Sequence, residues 1–414
     1  MTISRRTALR PIVACAVIVG LSSCSSGQQS TPAPAPGATA SSAQQSTPSP
    51  APGGTASCSA PAGAGAVLSR PTGVVDFSLY RKDKEPFPPA VFTDQAVSGV
   101  DLLIGWDPLE PAAGTYDWSV LDCLFQQAHA HGKWVGLSLI PGFLSPPWVF
   151  TLPGVQSQSF QFSYSGKAPA RPLPLPWNQA YLHSWFDFLG AVANRYASSP
   201  EFRLIQVAGP TSVSTEMSLP DRTSGDTALP PDTRGSDVAE WTSLGYTPAK
   251  FTDAWKEAFD QYHRLFPNQY LGLALYPGLP IGNDGRPDQR QKEATRVSVI
   301  AAGMRYKQQF DLQEDGMKGG ATRPTDAAYN LVRAHCGDIV TAFQDAVTMS
   351  PADPGSLNRA LDWVSAAGVD FWEVYTPDVT NPSLHPILAT ASTKLPANKS
   401  CAPARRTPAQ RRPR

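Results

Sequence analysis

Neither sign of charge is in excess: 34 Lys and Arg face 34 Asp and Glu, the formal net charge is +0, and charged residues are only 16% of the chain. Such a chain has no long-range field to hold it on nucleic acid or on an acidic surface, so a neutral partner is expected and nucleic acid is not. Histidine and cysteine are scarce, at 6 each, and no pair has zinc-like spacing, so no metal is expected. The sequence has no Gly-rich phosphate loop after a first strand, no His-Glu-x-x-His helix and no Gly-x-Ser-x-Gly elbow. Nucleotide, zinc-protease and serine-hydrolase chemistry are therefore without support, and no cofactor is expected. The apolar run from Pro11 to Leu21 is too short to span a bilayer comfortably.

What is present divides the chain. Arg5, Arg6 and Arg10 precede that apolar run, which reads as an export signal over 1–23. Ser4-Arg5-Arg6-Thr7-Ala8-Leu9-Arg10 looks like a twin-arginine signal, and Leu21-Ser22-Ser23-Cys24 resembles the bacterial lipobox. Together they predict lipidation at Cys24 and a protein held at the outer face of the cell membrane by acyl chains. The segment 24–65 is almost wholly Ser, Thr, Pro, Ala, Gly and Gln and reads as a tether. The end, 401–414, is Pro-rich and carries Arg405, Arg406, Arg411, Arg412 and Arg414, a solvated basic tail. Between them, 66–400 has the length of one barrel domain. With Cys15 removed and Cys24 lipidated, Cys58, Cys123, Cys336 and Cys401 remain, and four cysteines allow three pairings. Cys58 with Cys401 is favoured, because a closed barrel brings its first and last elements together.

Short apolar runs alternate with helical patterns in 66–400, the rhythm of parallel βα units. The runs are Gly73–Leu79, Val100–Gly105, Trp134–Ile140, Arg203–Ala208, Tyr270–Leu275, Phe310–Gln313, Ile339–Phe343 and Val369–Val374. They predict an α/β chain forming a single (β/α)8 TIM barrel. Long inserts, Phe143–Pro176 and Thr211–Tyr246, follow strands 3 and 4. Loops after strands build the functional face of such a barrel, so these two predict a walled cleft.

After the second run stands Gly105-Trp106-Asp107-Pro108-Leu109-Glu110-Pro111, then Gly114-Thr115-Tyr116-Asp117-Trp118. The segment resembles the W-x-x-x-E-P-x-x-G-x-Y-D-W pattern of the retaining (β/α)8-barrel glycoside hydrolases (clan A-like). The resemblance continues through Ala130-His131-Gly132-Lys133 to Ser145-Pro146-Pro147-Trp148, about a third of the barrel. In that motif Glu110 and Asp117 read as braces of a turn. Trp106 and Trp148 would end near the cleft and, with Tyr276, Trp372 and Tyr375, offer flat apolar faces to a sugar.

Glycoside hydrolysis uses one carboxylic acid to protonate the leaving oxygen and a second carboxylate as nucleophile or base. In the resembled superfamily the acid/base glutamate follows the fourth strand directly after asparagine. Here Val207-Ala208-Gly209-Pro210-Thr211 stands there, and the first glutamate is Glu216, which is either the general acid/base folded back over the cleft or an exposed loop carboxylate without a role. The resemblance places the nucleophile at the end of the seventh strand, where the chain has Phe343-Gln344-Asp345. Asp345 has the right chemistry with a shorter reach, and Gln344 is a substrate-binding candidate. Glu373 on the eighth strand is the other candidate, expected to face the barrel interior because a charge against the helical layer is costly. Glu314 and Asp315 form an acidic pair suited either to substrate hydroxyls or to capping a helix. The reading is an exported, lipid-anchored glycoside hydrolase-like protein acting on a polysaccharide or glycoconjugate. The alternative is a non-catalytic carbohydrate-binding lipoprotein on a degenerate barrel.

Overall fold

The computed structural model describes residues 58, 68–82, 86–161, 170–222, 237–320, 327–348 and 355–397. The expected signal, Cys24, most of the tether, and the basic tail lie outside the described residues.

The described residues form ten strands: β1 (Gly73–Leu79), β2 (Val97–Gly105), β3 (Trp134–Ile140), β4 (Ser157–Gln161), β5 (Ala170–Pro174), β6 (Phe202–Gln206), β7 (Tyr270–Ala274), β8 (Phe310–Met317), β9 (Val340–Asp345) and β10 (Phe371–Tyr375). Eight of them close a parallel barrel in the order β1-β10-β9-β8-β7-β6-β3-β2, and β4 with β5 forms an antiparallel hairpin in the insert after β3. This is the expected (β/α)8 architecture, and each expected apolar run supplies one barrel strand. Parallel strands are covered on both faces, so they read as nearly continuous apolar runs, of which β3, buried throughout, is the clearest.

The helices start and stop where local chemistry directs. Asn178 caps Gln179–Tyr196 by accepting from the Tyr181 amide, and Thr247 caps Pro248–Leu265 by accepting from that of Lys250, with proline in the first turn. The helix Ser119–His131 ends at Gly132, whose φ of 64° is the left-handed conformation that glycine adopts without penalty. The inserts after β3 and β6 pack on each other, with the rings of Phe160 and Trp241 stacked at 4.3 Å and Trp177 edge-on to Trp241 at 5.9 Å.

The disulfide differs from expectation. Cys58 is bonded to Cys123, with Cα atoms 5.0 Å apart, so Cys58 is not available to Cys401. In the ring of strands β1 neighbours β2 as well as β10. The chain ahead of β1 therefore meets the helix that follows β2, where Cys123 sits. Cys336 is also disulfide-bonded, and Cys401 lies outside the described residues.

Candidate active site at the carboxyl end of the barrel

Strand parity decides which side chains enter the bore. Val75, Trp134, Leu204, Tyr270, Val340, Ala342 and Phe371 form one apolar cluster across its floor. Residues two and four positions further along each strand share that face. Gly136 and Ser138, Gln206, Gly272, Gln344, and Glu373 with Tyr375 therefore look into the barrel above the floor. Asp101 joins them opposite Gly136 in the β2–β3 register, and Asp311, Gln313 and Asp315 rise along β8. A Cβ on Gly136 would sit 2.5 Å from Asp101 Oδ2, and one on Gly272 would overlap the amide of Gln206. These two glycines make the room that the polar side chains fill.

The polar groups form a band across the bore. Gln206 Nε2 donates to Gln313 Oε1 at 2.6 Å, and Gln313 Nε2 donates to Glu373 Oε2 at 2.6 Å. Glu373 meets Asp101, whose other polar neighbour is the Ser138 hydroxyl. Burial pushes the carboxyls of Glu373, Asp311 and Asp315 well above the ordinary carboxylate range, and neighbouring acids add to it. The same burial raises Asp101 to about 7.

Glu216 reaches this band from the loop after β6. The Met217 amide donates to Ala274 O at 3.1 Å at the end of β7, Ser212 Oγ donates to Ser218 O at 2.8 Å, and the Phe143 amide donates to Ser212 O at 2.9 Å. These bonds fold the loop over the bore, so Glu216 is 4% exposed instead of being a free loop carboxylate. Its charge is, after burial itself, the strongest of the influences that push the Asp315 carboxyl upward, and it also acts on Tyr276.

The structure thus gathers Glu216, Tyr276, Asp315, Gln344, Glu373 and Tyr375 at one end of the barrel, with the Tyr375 ring edge-on to Phe77 at 5.4 Å. The other expected site residues lie elsewhere. Asp345 and Trp372 fall on the opposite parity, in the layer between strands and helices, where the Trp372 indole donates to Asp345 Oδ1 at 2.8 Å. Trp106, fully buried, donates to Glu110 Oε2 at 2.7 Å and packs against Trp185 and Trp148. Half-buried Trp148 donates to Glu110 O at 3.0 Å. Trp106, with no exposed surface, belongs to an aromatic packing layer and cannot serve as a sugar platform, and Trp148 lies edge-on to it. Glu110 and Asp117 brace the turn as read from sequence: Glu110 Oε1 accepts from the Gly114 amide at 2.8 Å, and Asp117 Oδ1 accepts from the amide and hydroxyl of Ser119.

Asp101, Asp311, Gln206 and Gln313 were not anticipated. Their signal was present, since Asp101 interrupts the apolar run Val100 to Gly105 and Asp311 lies between Phe310 and Leu312. A charge inside a strand covered on both faces must be paired, neutral or functional. Among the described residues no group of three or more His, Cys, Asp or Glu is arranged to hold a metal ion.

No protein-family model matches the chain, and no characterised protein matches it in sequence. Solved structures do resemble it. A polyextremophilic β-galactosidase from the Antarctic haloarchaeon Halorubrum lacusprofundi is 12% identical, with a TM-score of 0.46 over 78% of this chain and 57% of its own. A β-galactosidase from the psychrophilic Marinomonas ef1 is 12% identical, TM-score 0.47, over 78% of this chain and 59% of its own. Endo-glycoceramidase II from Rhodococcus sp. is 15% identical, TM-score 0.44, over 80% of this chain and 81% of its own. The chain therefore spans less than three-fifths of the two β-galactosidases, and the likeness in each case is one of barrel architecture.

Proposed function

We propose that the chain is an exported, lipid-anchored glycoside hydrolase-like protein that cleaves a polysaccharide or glycoconjugate with a pair of carboxyls at the carboxyl end of its barrel. The observation that carries the reading is that backbone bonds fold the loop over the bore and bury Glu216, so that its charge acts on the Asp315 carboxyl rising along β8. Two carboxyls in each other's field part their affinities for protons, so one stays an acid while the other is ionised. Asp315, held protonated by burial and by Glu216, would protonate the leaving oxygen. Glu216 would attack the sugar or activate water. Glu373, beneath them, lies in the field of Asp315 and accepts from Gln313, while Tyr276 and Tyr375 offer rings to the sugar.

A second reading, a carbohydrate-binding protein without turnover, is favoured by Gln344. The amide occupies the inward position near the end of the seventh barrel strand, and Asp345 beside it points outward. The test is turnover of aryl glycosides and cell-wall polysaccharides by the purified protein and by Glu216→Gln. Turnover abolished in the variant supports the enzyme; no turnover with retained sugar binding supports the binding protein. Anchoring is checked separately with Cys24→Ser, which should move the protein from the membrane fraction to the soluble one.

A further inference from the structure

The middle of the barrel contains more acceptors than donors. Glu373 Oε2 accepts from Gln313, but Glu373 Oε1 meets no donor, and neither oxygen of Asp101 meets a donor fixed by geometry. Both side chains are essentially inaccessible to water, at 1% and 0% exposure. Two ionised carboxylates can only accept, so placed face to face they repel each other and leave buried oxygens unpaired, each costing more than an ordinary lost hydrogen bond. One proton between them removes both faults. It converts one carboxyl into a donor and halves the charge.

We infer that Asp101 and Glu373 share a single proton across the bore, and that this proton is a bound, structural component of the folded barrel. On folding, two solvated carboxylates and one proton from water become one carboxylic acid hydrogen-bonded to one carboxylate. Ser138 supplies a hydroxyl to the Asp101 side, and the Gln206–Gln313 relay fixes the Glu373 side.

The surroundings offer no substitute for the proton. Glu373 faces Asp101 from β2 and Asp311, Gln313 and Asp315 from β8, with Val75 and Gln344 beside it on β1 and β9. Among the described residues, the cation acting on this set is Arg70, which reaches Asp311 from the floor and is itself engaged by both oxygens of Asp370. The inference stands whether or not the protein hydrolyses sugars.

Asp101 is raised to about 7 in the fold, against about 3.9 for a free aspartate. About 7 marks the ionisation of Asp101 beside Glu373, whose own carboxyl lies well above the ordinary range and keeps the shared proton at neutral pH, so the stabilisation is fully present below pH about 4 and is lost as pH rises through about 7 and then through the raised Glu373 value. The test measures unfolding midpoints across this range, together with the infrared carbonyl absorption of protonated carboxylic acid at neutral pH, in wild type, Glu373→Gln and Asp101→Asn. Each amide replaces the shared proton with a permanent donor. Both variants should show a shallower loss of stability with pH and weaker acid absorption. Identical slopes and identical absorption would overturn the proposal. Should neither variant fold, proton uptake by the wild type on refolding at neutral pH decides, and an uptake below one proton per molecule overturns it.

Discussion

Trp372 and Asp345, 27 residues apart, are joined outside the barrel by an indole hydrogen bond of 2.8 Å to a carboxyl that burial pushes well above the ordinary carboxylate range. The pair is structural, because both side chains face the helices, whereas Glu373 between Trp372 and Val374 faces the bore. Asp345→Asn retains the acceptor and should leave stability within about 1 kcal/mol of wild type. Asp345→Ala strands the buried indole N–H and leaves a void, costing about 2–4 kcal/mol. Denaturant midpoints measure both. If Asp345→Asn instead kept its midpoint and lost all turnover, Asp345 would belong to the site.

The loop that carries Glu216 is held by Tyr181 and Gly142. The Tyr181 hydroxyl donates to Gly209 O at 2.8 Å and accepts from the Gly142 amide at 3.1 Å. Gly142 has φ of 60°, and a Cβ there would overlap the backbone oxygen of Ser212. Gly142→Ala should therefore cost about 1–3 kcal/mol through crowding, with a further loss from the left-handed backbone. Tyr181→Phe should cost about 1–3 kcal/mol by orphaning two buried backbone groups. In both, turnover should fall further than stability loss alone explains, because Glu216 moves. Turnover per folded molecule, measured beside the unfolding midpoint, separates the two effects.

The Cys58–Cys123 bond closes a loop of 65 residues. Chain entropy then sets an upper figure of about 4 kcal/mol for its contribution, with about 2–4 typical. Cys58→Ser should lower the unfolding midpoint accordingly, and reductant should do the same to wild type. The barrel should still fold, since its ring of strands does not pass through this bond. A variant as stable as wild type would mean that the bond constrains little.

The architecture was readable because it rests on a repeating requirement. Each barrel strand is covered on both faces, so each appears as an apolar run with a helical pattern after it. Even β8 declared itself, although its run Phe310–Gln313 was short and β8 continues to Met317. The continuation hides because Gln313 and Asp315 are polar residues pointing inward. Glu373 was placed correctly by parity and the cost of burying charge. The same parity, applied to β9, would have turned Asp345 outward and Gln344 inward. Trp106 and Trp372 could not be assigned to the rim or the packing layer by proximity to strand ends alone, since the next residue along reverses the face. The approach of Glu216 to Asp315 depends on backbone bonds such as Met217 to Ala274, which no local pattern encodes.

The assignment of acid and base within the Glu216–Asp315 pair makes the most exacting prediction. Asp315 is pushed well above the ordinary carboxylate range by burial and by the charge of Glu216. If it is the acid, turnover should fall as pH rises through its raised value, because the proton needed by the leaving oxygen is gone. Asp315→Asn should remove that limb and lower turnover of natural glycosides by about 10²–10⁴-fold. Aryl glycosides with good leaving groups need little protonation at bond cleavage, so Asp315→Asn should retain more activity on them. Glu216→Gln should lose both substrates alike, since attack on the sugar is needed whichever group departs. It should also relieve Asp315 of a neighbouring charge, so any residual activity should show its alkaline limb at lower pH. The opposite pattern, with activated substrates spared in Glu216→Gln and lost in Asp315→Asn, would make Glu216 the acid and Asp315 the attacking carboxylate. Turnover of paired natural and aryl substrates against pH in the three proteins distinguishes these assignments.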